Sequence, residues 1–147
     1  MVQLPPFIVD AIRRPDTNKV MSTVNEDGTP HTVVCGSLTV PEPDTIAVGR
    51  VWLRTTGKNL ERDPRAEFLV WSGKSAYSIV CDFKGATKEA DHVLKMNEGL
   101  DKMNMFTGTL WLFEVKSVYD EGLGEGAGRQ IVRLPGEKGN AGGLPAV

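Results

Sequence analysis

A chain of 147 residues fits one compact domain with an ordinary core. Its net charge of −2 argues against a nucleic-acid surface as its main business, and no Lys/Arg block suggests binding to an anionic membrane. No apolar run is long enough to span a bilayer, and the first residues lack a signal peptide's basic start and apolar centre, so the expected location is cytoplasmic. Cys35 and Cys81 lie far apart in apolar, β-like runs without a CxxC motif. They read as buried, reduced core residues.

In chain order, residues 5–14 read as a short amphipathic helix. Phe7, Ile8, Ala11 and Ile12 share one face, Pro5 and Pro6 suit a first turn, and Pro15 ends it. A strand over 19–24, the turn Asn25-Glu26-Asp27-Gly28 and a strand over 30–40 make a hairpin. After the turn at Pro41 to Asp44, a third strand is predicted over 45–53. A short helix over 58–62 follows, with Thr56 as N-cap and Asp63-Pro64 as its stop. Strands are predicted over 66–72 and over 76–87, where Tyr77, Ile79, Cys81 and Phe83 alternate with polar neighbours. The period becomes helical over 88–103, with Ala90, Val93, Leu94, Met96, Leu100 and Met103 as the apolar stripe. It returns to strand over 109–119, with Trp111, Phe113 and Val115 on one face.

From Glu121 onward the chain is Gly-rich: a linker, a loosely ordered arm, or a segment folding onto a partner subunit. The division is thus a domain over 1–120 and a tail over 121–147. Short antiparallel strands with interspersed helices predict a mainly β fold with some α, a small β-barrel with helical lids. The first three strands are joined by turns too short for the crossovers of a parallel sheet.

The most telling stretch is Arg54-Thr55-Thr56-Gly57-Lys58-Asn59-Leu60. Cations flank two hydroxyls where a helix opens, and the first turn of a helix offers unpaired N–H groups and a positive dipole end. A phosphate is the expected guest, although a solvated helix start with capping hydroxyls would look the same. Arg50, a cation within the third predicted strand, needs solvent or an anionic or polar partner.

Other chemistry is poorly supported. The spacing from Gly49 to Gly57-Lys58 is wrong for a nucleoside-triphosphate loop, and Asn59 stands where a magnesium-binding hydroxyl belongs. No G-x-G-x-x-G opens a helix, and no G-x-S-x-G elbow appears. His31 and His92 are too isolated to predict a metal site. A phosphate cradle with no evident nucleophile or acid–base pair suits a bound redox cofactor. A mononucleotide flavin fits, with one phosphate, a polyol and a flat ring. Trp52, Trp71 and Trp111 suit core or interface more than ring stacking, and Cys35 suits a small buried hydrophobe.

Taken together, Met21 to His31 with its acidic-Gly turn, Val33-Val34-Cys35-Gly36-Ser37-Leu38, Thr45-Ile46-Ala47-Val48-Gly49 and Thr55 through Asn59-Leu60 to Asp63-Pro64-Arg65 resemble the FMN-binding split-barrel family. This is the superfamily of pyridoxamine 5′-phosphate oxidase, and the likeness spans roughly residues 19–70, nearer to its small FMN-binding members than to the oxidase. The resemblance implies a split barrel of six or so antiparallel strands with Greek-key connections and short flanking helices. It implies a homodimer with FMN at the interface and a small-molecule or protein redox partner. Thr55, Thr56 and Asn59 match the family's phosphate-binding positions. Val34, Cys35, Gly36 and Ser37, with Gly49, Arg50 and Val51, match those lining the ribityl chain and ring. Many relatives carry Lys or Arg where Thr55 stands, so Arg54 or Lys58 would supply the charge. The oxidase's substrate-phosphate residues have no match in the second half, so pyridoxamine phosphate is not the expected substrate. A deazaflavin such as F420, a non-catalytic flavin carrier or sensor, and a barrel without cofactor are the alternatives.

Overall fold

The computed structural model describes residues 2–50, 53–88, 90–101 and 107–132. Among these residues three helices, α1 (Pro6–Arg13), α2 (Arg54–Arg62) and α3 (Ala90–Asp101), punctuate eight strands. The strands are β1 (Asn18–Val24), β2 (Pro30–Val34), β3 (Leu38–Glu42), β4 (Thr45–Gly49), β5 (Arg65–Ser72), β6 (Ser75–Thr87), β7 (Leu110–Asp120) and β8 (Gln130–Val132). They form one antiparallel sheet in the order β2-β1-β5-β6-β7-β4-β3, with β8 added to β7. No helix among the described residues is long and apolar enough to cross a membrane.

The sheet curls because its two longest strands bend. Register shifts interrupt the β6–β7 ladder at Val80/Cys81 and Phe83/Gly85, where extra residues sharpen the local twist. Gly85 sits at φ +121, a conformation that side chains with a Cβ rarely adopt. Among the described strands no ladder joins β2 to β3, so the barrel is open along that seam, a split barrel. Inside lie Met21, Ile46, Val48, Phe68, Ile79 and Phe113, with Ile8 and Ile12 of α1 closing one end. Phe68 meets Phe113 edge-on at 5.1 Å between ring centroids. On the other face of β4 and β7, α3 sets Met96 and Leu100 against Ala47 and Leu110. β4 is therefore buried on both faces, which its uninterrupted apolar run requires.

Several boundaries differ from the sequence expectation. The strand predicted over 30–40 is two strands, broken at Cys35, Gly36 and Ser37, because β2 pairs with β1 while β3 crosses the seam to pair with β4. The strand predicted over 45–53 ends at Gly49. Helix α2 starts at Arg54 with Leu53 as N-cap, so Thr56 lies within its first turn and caps nothing. Gly57 weakens the helical signal there. A Cβ here would come within 3.3 Å of the Arg50 guanidinium, so the glycine lets that group sit close, and would rest at an ordinary 3.5 Å from the Trp111 ring. The Gly-rich segment after Asp120 is no free linker at its start. Glu121 and Leu123 donate backbone hydrogen bonds to Ala76 and Lys74 at 2.9 and 2.8 Å, and β8 extends the sheet. The remainder of the predicted tail, residues 133–147, and the end of the predicted helix at Met103 lie outside the described residues, as do Val51 and Trp52.

Candidate functional site

Two contacts gather the predicted residues at one place. Ser37, in the loop between β2 and β3, donates its hydroxyl to the Gly49 carbonyl at 3.0 Å and ties that loop to the end of β4. The next residue, Arg50, reaches back to helix α2, where its guanidinium lies beside Gly57 and 5.4 Å from the centroid of Trp111. The β2–β3 loop, the end of β4 and the opening of α2 are thus contiguous. Arg50 is held at the backbone as well, donating to the Thr109 carbonyl at 3.1 Å. Its own carbonyl lies 3.2 Å from the Thr107 hydroxyl.

Helix α2 opens without a side-chain cap, because the apolar Leu53 has no acceptor to offer its first-turn amides. The buried Thr56 hydroxyl oxygen has no hydrogen-bond partner among the described residues. Buried hydroxyls without partners are rare and costly. Arg54, Thr55 and Lys58 of the same helix are exposed. An uncapped first turn with a buried, unpartnered hydroxyl, and two exposed cations and a second hydroxyl in the same stretch of helix, offers the group types that a phosphate takes.

The remaining predicted residues play different parts. Asn59 is buried, and its amide N–H groups go to the Thr23 hydroxyl and the Asn25 side-chain oxygen, each at 3.0 Å. It clamps α2 to β1 and its turn. Cys35 is buried and free, and burial pushes its thiol up to about 12. Gly36 is exposed, and Val34, at the end of the open edge strand β2, is 80% exposed. Val51 lies outside the described residues. Among the described residues no group of three or more His, Cys, Asp or Glu could hold a metal ion.

Two features were not legible in the sequence. Asn97 of α3 receives the backbone N–H of Thr107 at 2.8 Å and donates to its carbonyl at 2.9 Å. Thr107 in turn braces Arg50, a relay that no local pattern announces. The second is a cleft of about 420 Å³ between α3, β3 and the end of α1, lined by Arg13, Lys19 and Lys95 together with Gly36 and Ser37. Its cations come from three separate elements, so no sequence run shows them as a cluster.

No protein-family model matches the chain, and no curated protein matches it by sequence. Solved structures do match. An FMN-binding protein from Syntrophomonas wolfei subsp. wolfei superposes with a TM-score of 0.66 at 18% identity, over 78% of this chain and 82% of that one. A protein provisionally assigned as a pyridoxamine 5′-phosphate oxidase from Lactobacillus delbrueckii gives 0.63 at 17% identity, over 80% and 93%. An F420 reductase gives 0.64 at 13% identity, over 78% and 98%. At such identities the likeness concerns architecture: the chain has the split-barrel fold of FMN-binding, pyridoxamine 5′-phosphate oxidase-like proteins.

Proposed function

We propose that this protein binds FMN non-covalently and works in flavin redox chemistry as a homodimer. The observation that carries this reading is the buried, unpartnered Thr56 hydroxyl in the uncapped first turn of α2, between Arg54 and Lys58. Thr55 and Thr56 donate to phosphate oxygens alongside the first-turn amides, while Arg54 and Lys58 neutralise charge from the exposed side. With its amide committed to Thr23 and Asn25, Asn59 fixes the helix that presents these groups. Gly36, lacking a side chain, lets a ligand approach the backbone between β2 and β3. Arg50, cation–π held over Trp111, brings positive charge to the same end of the seam. Bound there, the flavin supplies hydride and electron transfer. The open edge of β2 with its exposed Val34 is a surface that a second copy would cover.

The absorption spectrum of protein purified without added flavin, followed by titration with FMN, tests this directly. Wild type is expected to carry or take up FMN, and Thr56→Ala with Lys58→Ala to lose it while staying folded. Each lost charge-assisted bond is worth about 1.5–3 kcal/mol, so affinity should fall by at least about a hundredfold. Unchanged affinity in the double variant would sink the assigned cradle. The overlay with an F420 reductase favours one second reading, a deazaflavin in the same place. A parallel titration with F420 discriminates, and nicotinamide-driven reductase assays separate an enzyme from a flavin carrier or sensor.

A further inference from the structure

We propose that the cleft between α3, β3 and the end of α1 binds a small organic anion with an apolar body. The cleft encloses about 420 Å³, within the size range of small-molecule sites. Its floor is apolar: Ala47, Met96, Leu100 and Leu110 present the outer side of the smaller core cluster. Its rim is cationic, because Arg13 ends α1, Lys19 begins β1 and Lys95 projects from α3. Among the described residues no Asp or Glu lines it.

Three cations, with no carboxylate among the described lining residues, make this rim favourable for a carboxylate, sulfonate or phosphate. The ion pairs of the described residues lie elsewhere, at Arg65–Asp63, Lys84–Glu114 and Lys116–Asp82. Arg13 is steadied by a 3.4 Å hydrogen bond to the Val40 carbonyl, which leaves the rest of its fork of donors available. Partial burial lowers the Lys19 pKa, a strain on its charged form that a bound anion would offset. An inorganic anion would leave the apolar floor wet, so the floor selects for an aromatic or alicyclic acid over a bare ion. If the flavin reading holds, the shared wall at Gly36 and Ser37 sets this ligand beside the cofactor, where a substrate belongs.

The test uses the full chain and two dyes of similar shape, anionic anilinonaphthalene sulfonate and neutral phenylnaphthylamine. Fluorescence titration should show the anion bound about tenfold more tightly than the neutral dye. Lys19→Met with Lys95→Gln should erase that preference and leave the neutral dye bound as before, while Lys95→Arg retains it. FMN at saturation should leave the anion in place. Equal affinities in wild type, an unaltered preference in the double variant, or displacement of the anion by FMN each overturns the site. Wild type that binds the anionic dye with this selectivity but takes up no flavin removes the flavin reading and leaves the cleft standing.

Discussion

At Thr56 the folded state carries a buried hydroxyl that has no partner among the described residues. A buried hydroxyl without a partner costs about 1–3 kcal/mol, and the isosteric Thr56→Val removes the group that incurs it. Valine's lower helix propensity is close to that of threonine, so little is lost on that side. The protein without ligand is therefore expected to gain roughly 1 kcal/mol in urea unfolding, while its affinity for FMN falls. A variant less stable than wild type would show that the hydroxyl is satisfied in the free protein. Asn59 predicts the reverse. Asn59→Ala strands Thr23 and Asn25 and loosens α2 from β1, so stability should drop by about 1–3 kcal/mol. Full stability in that variant would return Asn59 to the list of direct phosphate ligands.

Helix α2 shows how far an element can be read before its surroundings are known. The alternation of Tyr77, Ile79 and Cys81 marked β6 because one face of that strand is buried, and the stripe through Met96 and Leu100 marked α3 for the same reason. The opening of α2 escaped because Gly57 argues against a helix locally, while the reason for the glycine lies in Arg50 and Trp111, remote partners in the chain. The break at Gly36 escaped likewise, since the residues on both sides are β-forming and only the two different ladders require a turn. The run from Arg54 to Asn59 proposed as a phosphate cradle stands out in the sequence because its parts are consecutive; the cationic cleft does not, because its parts come together only in the fold. This gives Gly57→Ala a mixed outcome. Alanine favours the helix by up to about 1 kcal/mol, and the clash falls on the mobile end of Arg50, which can move. The melting temperature should hold or rise while the guanidinium shifts off Trp111 and FMN binding weakens. Loss of stability would mean that Arg50 cannot yield.

For the whole molecule, the titrating groups predict two limbs of pH-dependent stability with different origins. Hydrogen bonds from Arg65 hold the Asp63 carboxyl down to about 2 from its ordinary 3.8. Thr29 likewise lowers Asp27, and Lys84 lowers Glu114. Groups depressed in the folded state stabilise it above their unfolded pKa values, and that contribution drains away as pH falls from about 4 toward 2. Asp27 is exposed, and Asp63 and Glu114 are half-buried partners of surface cations, so the acid limb is shallow and shrinks in high salt. The alkaline limb comes from burial of two thiols, with a smaller, salt-sensitive part from Lys84, which its hydrogen bond to Glu114 raises. Desolvation raises Cys35 from 9.0 to about 12 and raises Cys81 as well. The folded state keeps both protons, so their contribution is complete below pH 9 and is lost as the pH rises from there toward 12. Buried thiols are shielded from added salt, so their part of this limb should hardly respond to ionic strength. Urea midpoints measured across pH, at low and high salt, separate the two. Cys35→Ala with Cys81→Ala should reduce the alkaline limb to its smaller, salt-sensitive part and leave the acid limb untouched. An alkaline limb of full size in that variant would place its origin outside the barrel's two thiols.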